Sequence, residues 1–322
     1  MQQDLLFWYD QNARVLPWRS APAGARDPYH VWLSEVLLQQ TQVARAALYF
    51  EHFLQAFPTV QQLADAPLEQ VLTLWQGAGY YARARNLHRA AQHMAAQGIP
   101  QNAAAWQALS GVGRYTAAAI SSLCSNEAVA AVDGNIRRVL ARLHNNPSPS
   151  EGWLWESAQH LLYAPRAGAW NEALIELGAL VCTPKSPKCD TCPLSSHCAA
   201  FAANTVASVP APKPKAKVLE IETTALIWHW EGKCWLVQRQ KKGLLGGMFS
   251  VPLGVELPEG AVFLGEVQHT MSHRHFRIRV YGFASPRNDL VALDAVPLAR
   301  LDQKILTLLE SYFNVTREFT ES

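Results

Sequence analysis

A chain of 322 residues that is 49% hydrophobic is long enough for two domains, each with its own core, and is too apolar to be disordered. No apolar run approaches the roughly 20 residues needed to span a bilayer, and the N-terminus MQQDLLFWYD has no basic n-region and carries an early Asp, so neither a membrane helix nor a secretory signal is expected. The net charge of +2 does not announce a nucleic-acid partner, and the basic clusters ARARNLHR, NIRRVLAR and HRHFRIRV each read first as solvated faces.

Residues 1 to about 200 read as helical. In HVWLSEVLLQQTQV, helical spacing puts Val31, Trp32 and Leu38 on the face of Glu35, so a carboxylate falls on the apolar stripe. Either its head escapes to water or it is buried, and a buried unpaired carboxylate is neutralised or partnered. PLEQVLTLW and ARARNLHRAAQHMAAQG follow with spacing near the helical period. In NAAAWQALSGVGRYTAAAI, Gly111 and Gly113 bracket Val112 between two helical runs, which predicts a helix–hairpin–helix over about 104–123. The amides that open the second helix can hold a phosphate. In AVAAVDGNIRRVLARL, Asp133 precedes a helix and Gly134 and Asn135 suit a turn, so Asp133 is an expected N-cap, kept ionised by the amides it accepts. Two acids pushed apart in this way, Glu35 raised by burial and Asp133 remaining a carboxylate, match what cleavage of a glycosidic bond requires.

WNEALIELGALV is a further helix, and the strongest chemical signal comes next. CTPKSPKCDTCPLSSHC gives Cys182, Cys189, Cys192 and Cys198 the spacing C-x6-C-x2-C-x5-C. Disulfides are not expected without a secretory signal, and four thiolates bind zinc or an iron–sulfur cluster. Structural zinc sites usually pair two short knuckles, and only one is present here. Cys124 and Cys234 are isolated and read as packing residues. NTVASVPAPKPKAK, residues 204–217, is expected to be an extended linker. Beyond it EIETTALIWHW, KCWLVQRQ and RIRVYGFA are strand-like, and LDQKILTLLESYF is a closing helix.

Taken together and in this order, SEVLLQQTQV, GAGYYARARNLH, LSGVGRYTA, VDGNIRRVLARL, NEALIELGALVCTP, the cysteine spacing and HTMSHRHF resemble the MutY-type adenine DNA glycosylases of the helix–hairpin–helix superfamily, over nearly the whole length. The resemblance implies an α+β multidomain protein. An all-α glycosylase domain (1–203), with one [4Fe–4S] cluster in the loop 182–198, would precede the linker (204–217) and a smaller Nudix-like α/β domain (218–322). It implies removal of adenine mispaired with 8-oxoguanine or guanine in double-stranded DNA. The enzyme would be a monomer in the bacterial cytoplasm, at the nucleoid. Glu35 would be the general acid and Asp133 the stabiliser of the sugar cation. Trp18, Arg19, Leu38, Tyr115, Asn135 and Glu172 would form the adenine pocket. Gln40, Tyr80, Gly111, Gly113 and Arg137 would hold the duplex, and Lys185 and Lys188 could contact phosphates.

Two departures from the family pattern matter. The segment from Gly254 to Glu266 is too short and too poor in Glu for a Nudix box, so pyrophosphate hydrolysis is not expected. The damage-reading loop, Phe-Ser-His in the family, is Met271, Ser272 and His273 here, which replaces the wedge with a softer side chain. The related endonuclease III branch shares the hairpin and cysteines but lacks the C-terminal domain. Its lyases place a lysine where this chain has Tyr115, and a glycosylase/lyase of that kind is the alternative reading. A silent DNA-binding or redox protein would need neither acid.

Overall fold

Where the helices start is written in their caps. In the computed structural model, which describes residues 1–212, 218–240, 248–271, 273–296 and 298–320 (side chains throughout except Asp294 and 313–320), Asp27 caps α2, Asp133 caps α9 and Ser150 caps α10, each accepting an amide two or three residues into its helix. Thr59 and Gln62 form a reciprocal capping box on α4. The helices are α1 (Gln2–Asn12), α2 (Pro28–Leu38), α3 (Val43–Ala56), α4 (Val60–Asp65), α5 (Leu68–Leu74), α6 (Ala82–Gln97), α7 (Ala103–Gln107), α8 (Arg114–Ser125), α9 (Gly134–Leu143), α10 (Glu151–Leu161), α11 (Ala167–Leu180), α12 (Ala199–Ala202) and α13 (Arg300–Thr320). Among the described residues, no helix is long and apolar enough to cross a membrane.

Contacts divide the chain into two units. One comprises residues 1–66 and 86–213, the other 67–85 and 214–322. The helical unit is organised around α11, which packs against α1, α8 and α9. Burial on several sides explains why WNEALIELGALV is apolar almost all round. Leu5, Ile136, Leu140, Leu154, Trp170 and Leu177 share its core, and truncating one of these leucines to Ala should cost about 2–5 kcal/mol. The hairpin between α7 and α8 forms as expected. At Gly111 φ is +79°, and a Cβ there would lie 2.6 Å from the Asn86 Cβ, so no other residue fits without displacement.

The linker expected to be extended over 204–217 is instead docked in its first half. The Thr205 hydroxyl bonds the Asn145 side chain, the Ala211 amide donates to the Pro147 carbonyl, and Val209 is buried. Residues 213–217 lie outside the described residues.

In the second unit, a five-stranded sheet runs in the order β5-β6-β1-β2-β7, from β1 (Leu219–Trp230), β2 (Lys233–Trp235), β5 (Val262–Met271), β6 (Arg274–Ala284) and β7 (Leu290–Ala292). The short β3 (Val237–Gln238) and β4 (Phe249–Ser250) pair separately. Strands β1 and β6 are parallel, while β5 and β6 form an antiparallel hairpin. Phe276, Ile278 and Val280 alternate into the core with Leu301, Ile305 and Leu309 of α13. The segment 67–85, expected within the helical domain, is grouped with this unit, where Gln76 Nε2 donates to the Leu298 carbonyl at 3.1 Å.

Candidate active site

The apolar stripe around Glu35 is part of a helix buried on nearly every side. Tyr29, Val31, Trp32, Leu33, Val36 and Leu37 are all buried, and Glu35 itself is only 9% exposed. Its head does not reach bulk water. Burial pushes the carboxyl up to about 7, and the charges of Asp133 and Glu172 act in the same direction. A hydrogen bond from Tyr115 and the charge of Arg19 oppose the shift. Tyr115 is in turn moved well above its ordinary value by burial, so it stays a protonated donor.

Asp133 caps α9 as expected: its Oδ1 accepts the Ile136 amide at 2.7 Å and its Oδ2 accepts Asn135 Nδ2 at 2.9 Å. These bonds favour the ionised form as expected, but they are not the largest influence on its pKa. Burial raises it, and the two hydrogen bonds only moderate the rise. Asn135 Oδ1 accepts Arg138, whose Nε donates to the Cys182 carbonyl at 2.7 Å. A hydrogen-bonded chain therefore runs from Asp133 to the first cysteine of the cysteine loop. Gly178 permits it, since a Cβ there would lie 2.6 Å from the Asn135 Cβ.

A third carboxylate has the opposite environment. Glu172, one of the residues expected at the base edge, is 4% exposed. It accepts Arg26 at both oxygens (2.8 and 2.7 Å), the Tyr9 hydroxyl, and an ion pair from Arg19 Nε at 2.7 Å. Burial alone would raise it, but the Arg26 hydrogen bonds and the charges of Arg19 and Arg26 hold it below the ordinary glutamate value. Glu176, one turn on, accepts Arg14 and Arg19 and is likewise held low against the effect of burial.

These groups meet at one cavity of about 380 Å³, within the range typical of small-ligand sites. Glu35, Asp133, Tyr115 and Asn135 line it, as do Trp18, Arg19, Leu38 and Glu172, so the expected acids and pocket residues come together. Trp18 stands edge-on to Phe50 at 5.5 Å. Of the expected duplex-holding residues, Gln40 and Tyr80 are exposed and adopt left-handed backbone (φ +59° and +49°), a strained state for side chains of this size. Gly113 caps α8, and Arg137 is paired with Glu151. At the β5–β6 hairpin His273 is exposed, Met271 packs against the core of its unit, and Ser272 lies outside the described residues. An inserting Met271 would first have to leave that core.

Cys182, Cys189, Cys192 and Cys198 line a small cavity in the loop after α11. Among the described residues, no three His, Cys, Asp or Glu groups converge as ligands of a single ion would. Burial pushes the Cys192 thiol up to about 11 and raises Cys189, so ionising them calls for the positive charge of a metal centre. Arg142 Nη1 donates to Cys182 Sγ at 3.3 Å, a contact that tunes a ligating sulfur.

Comparisons with known proteins show the family to which the chain belongs. Residues 33–158 match the HhH-GPD superfamily of base excision DNA repair proteins, and residues 182–198 match the iron–sulfur binding domain of endonuclease III. An adenine DNA glycosylase from Buchnera aphidicola (subsp. Baizongia pistaciae) is 35% identical over 258 residues, covering 78% of this chain and 72% of that protein. The chain belongs to the adenine DNA glycosylase family. An Arabidopsis thaliana member is 36% identical over 296 residues, covering 78% of this chain and 47% of that protein. The chain spans about half or less of the plant, rat and mouse relatives. A thermostable thymine-DNA glycosylase has a similar structure, with a TM-score of 0.57 and 27% identity over 62% of this chain and 94% of that one. Residues 182–198 of this family member are an iron–sulfur binding domain, and all four cysteines lie within it.

Sequence reasoning missed Tyr9, Arg14, Arg26, Arg138 and Glu176. The one available signal was the pair Glu172 and Glu176, four apart in an otherwise apolar helix. Two like charges on one buried face demand cations from elsewhere, but nothing local says which.

Proposed function

We propose that this protein excises adenine mispaired with 8-oxoguanine or guanine in double-stranded DNA, leaving the strand intact. The observation that carries the reading is Glu35: a carboxyl raised to about 7, lining one cavity with Asp133. A buried acid of that pKa holds its proton near neutrality and can give it up to a ring nitrogen, which makes adenine a better leaving group. The C1′–N9 bond then breaks with its electron pair moving to the base. The Asp133 carboxylate faces the positive charge left on the sugar, and water adds at C1′ while losing a proton.

The base must first leave the stack. The strained backbone at Gln40 and Tyr80 supports their use as wedges, because strain of this kind concentrates at working sites. Residues 1–203 carry the chemistry in this reading. Residues 218–322 read the opposite base through Met271, Ser272 and His273, and the protein works as a monomer in the cytoplasm, at the nucleoid. The cysteines bind a four-iron cluster, which would structure the loop that the Asp133–Asn135–Arg138 chain reaches. The purified protein should be yellow-brown, with about four iron atoms per chain.

Tyr115 supports this reading over the lyase alternative. A phenol forms no imine, its raised pKa makes it a poor nucleophile, and no lysine lines the cavity among the described residues. The test is single-turnover excision on an adenine:8-oxoguanine duplex. Base loss should leave strands that break only after alkali or heat, with little borohydride-trapped adduct. Trapping at the rate of base loss would overturn the monofunctional reading, and no base loss would overturn the substrate. Ser272→Ala with His273→Ala should narrow the preference for 8-oxoguanine over guanine.

A further inference from the structure

Arg19 is held on three sides. Its Nη2 donates to Glu176 Oε1 at 3.0 Å and its Nη1 to the Arg14 carbonyl at 2.8 Å. Its Nε lies 2.7 Å from Glu172 Oε1 but off the N–H axis, which leaves that buried proton without an aligned acceptor. Glu172 offers nothing more, because Arg26 and Tyr9 already occupy it. Glu176 is fully buried, sits on the same face of α11 as Glu172, and also takes Arg14 through Nε and Nη2. The wall thus sets three guanidinium groups against two carboxylates and retains one unit of positive charge.

We propose that Glu176 is a positioning residue for excision: it fixes the Arg19 guanidinium at the cavity wall, where it faces the bound base. Without Glu176, the Arg19 terminal nitrogen loses its carboxylate and the guanidinium is no longer fixed at the wall. Arg14 would lose its partner at the same time. The inference rests on the reading of the cavity as the base pocket and adds a residue that touches neither base nor sugar. A donor aimed at the base helps the departing ring carry the electron pair of the broken bond. It acts only if held within a fraction of an ångström, since misplacement by about 1 Å can cost on the order of 10²-fold in rate.

The test is a double-mutant cycle in the full-length, cluster-loaded protein, with single-turnover excision of adenine opposite 8-oxoguanine as the measurement. Glu176→Gln should slow excision on the order of 10²-fold while affinity for a duplex with a non-cleavable adenine analogue is retained. In an Arg19→Gln background, Glu176→Gln should cost less than about twofold more, because there is nothing left to position. The rate–pH curve should drop as a whole with its midpoint unmoved, since Glu35 sets the midpoint. Multiplicative losses in the cycle, or a shifted midpoint, would overturn the proposal. An Arg19→Gln protein that works at the parent rate would overturn the base-contact reading as well, which separates the two failures. Should Glu176→Gln fail to fold, as judged by melting and cluster absorbance, Arg14→Gln/Glu176→Gln keeps the net charge of the wall and takes its place. Excision at the parent rate in that variant would mean that Glu176 only balances Arg14.

Discussion

Glu35 and Glu172 are the same residue type, both buried in helices and both lining one cavity, yet they are driven in opposite directions. Glu35 has a phenol and apolar neighbours, and burial lifts it to about 7. Glu172 has two guanidinium groups and a tyrosine, and they overcome burial and hold it ionised. Partners and not depth decide which carboxyl gives up a proton and which serves as a fixed counter-charge. One wall of the cavity can therefore change protonation during a reaction while the other cannot.

The sharpest way to break this contrast is to remove the proton donor. Glu35→Gln keeps size and shape but cannot supply an acidic proton, so single-turnover excision should fall by about 10²–10⁴-fold while duplex binding persists. In the parent protein the same rate should fall as pH rises through about 7, because only protonated Glu35 is competent. A flat profile across that range would remove Glu35 from the role of acid.

The counter-charge should fail differently. Glu172→Gln leaves Arg26, which is 4% exposed, and Arg19 short of a carboxylate. Breaking a buried ion network from one side typically costs about 3–5 kcal/mol, so denaturant melts should show a large loss of stability. If the variant is as stable as its parent, the network is not buried as described.

How much of this contrast could be read in advance depends on the range of each interaction. The α8, α9 and α11 segments show in the sequence because periodicity, caps and the hairpin glycines are local. Glu35 could be recognised as an anomaly on an apolar face, but spacing alone could not decide between burial and escape to water. What decided it was packing on every side of α2. The ionised state of Glu172 was out of reach, because Arg26 lies 146 residues away and Tyr9 lies 163 away. The same applies to Glu176 with Arg19, 157 apart, and to the parallel pairing of β1 with β6. The upward shift of Asp133 was missed because its N-cap bonds are local and visible, whereas the burial that outweighs them is tertiary.

The smallest expected effect tests the same glutamate through stability. A carboxyl whose folded pKa is about 7 and whose unfolded value is near 4.3 binds more protons folded than unfolded between those values. Stability should therefore decline as pH rises through that window and level off above about 7. The shift corresponds to at most about 4 kcal/mol, at 1.36 kcal/mol per pH unit, all of it a cost to the folded state at pH 8. Glutamine carries no such cost. Glu35→Gln should therefore melt higher than its parent at pH 8, by up to that amount, and close to it at pH 4, where both side chains are neutral. The gain in stability would accompany the loss of excision in one and the same protein. Equal melting at pH 8 would mean that Glu35 finds a compensating partner and is no more costly to ionise than Glu172.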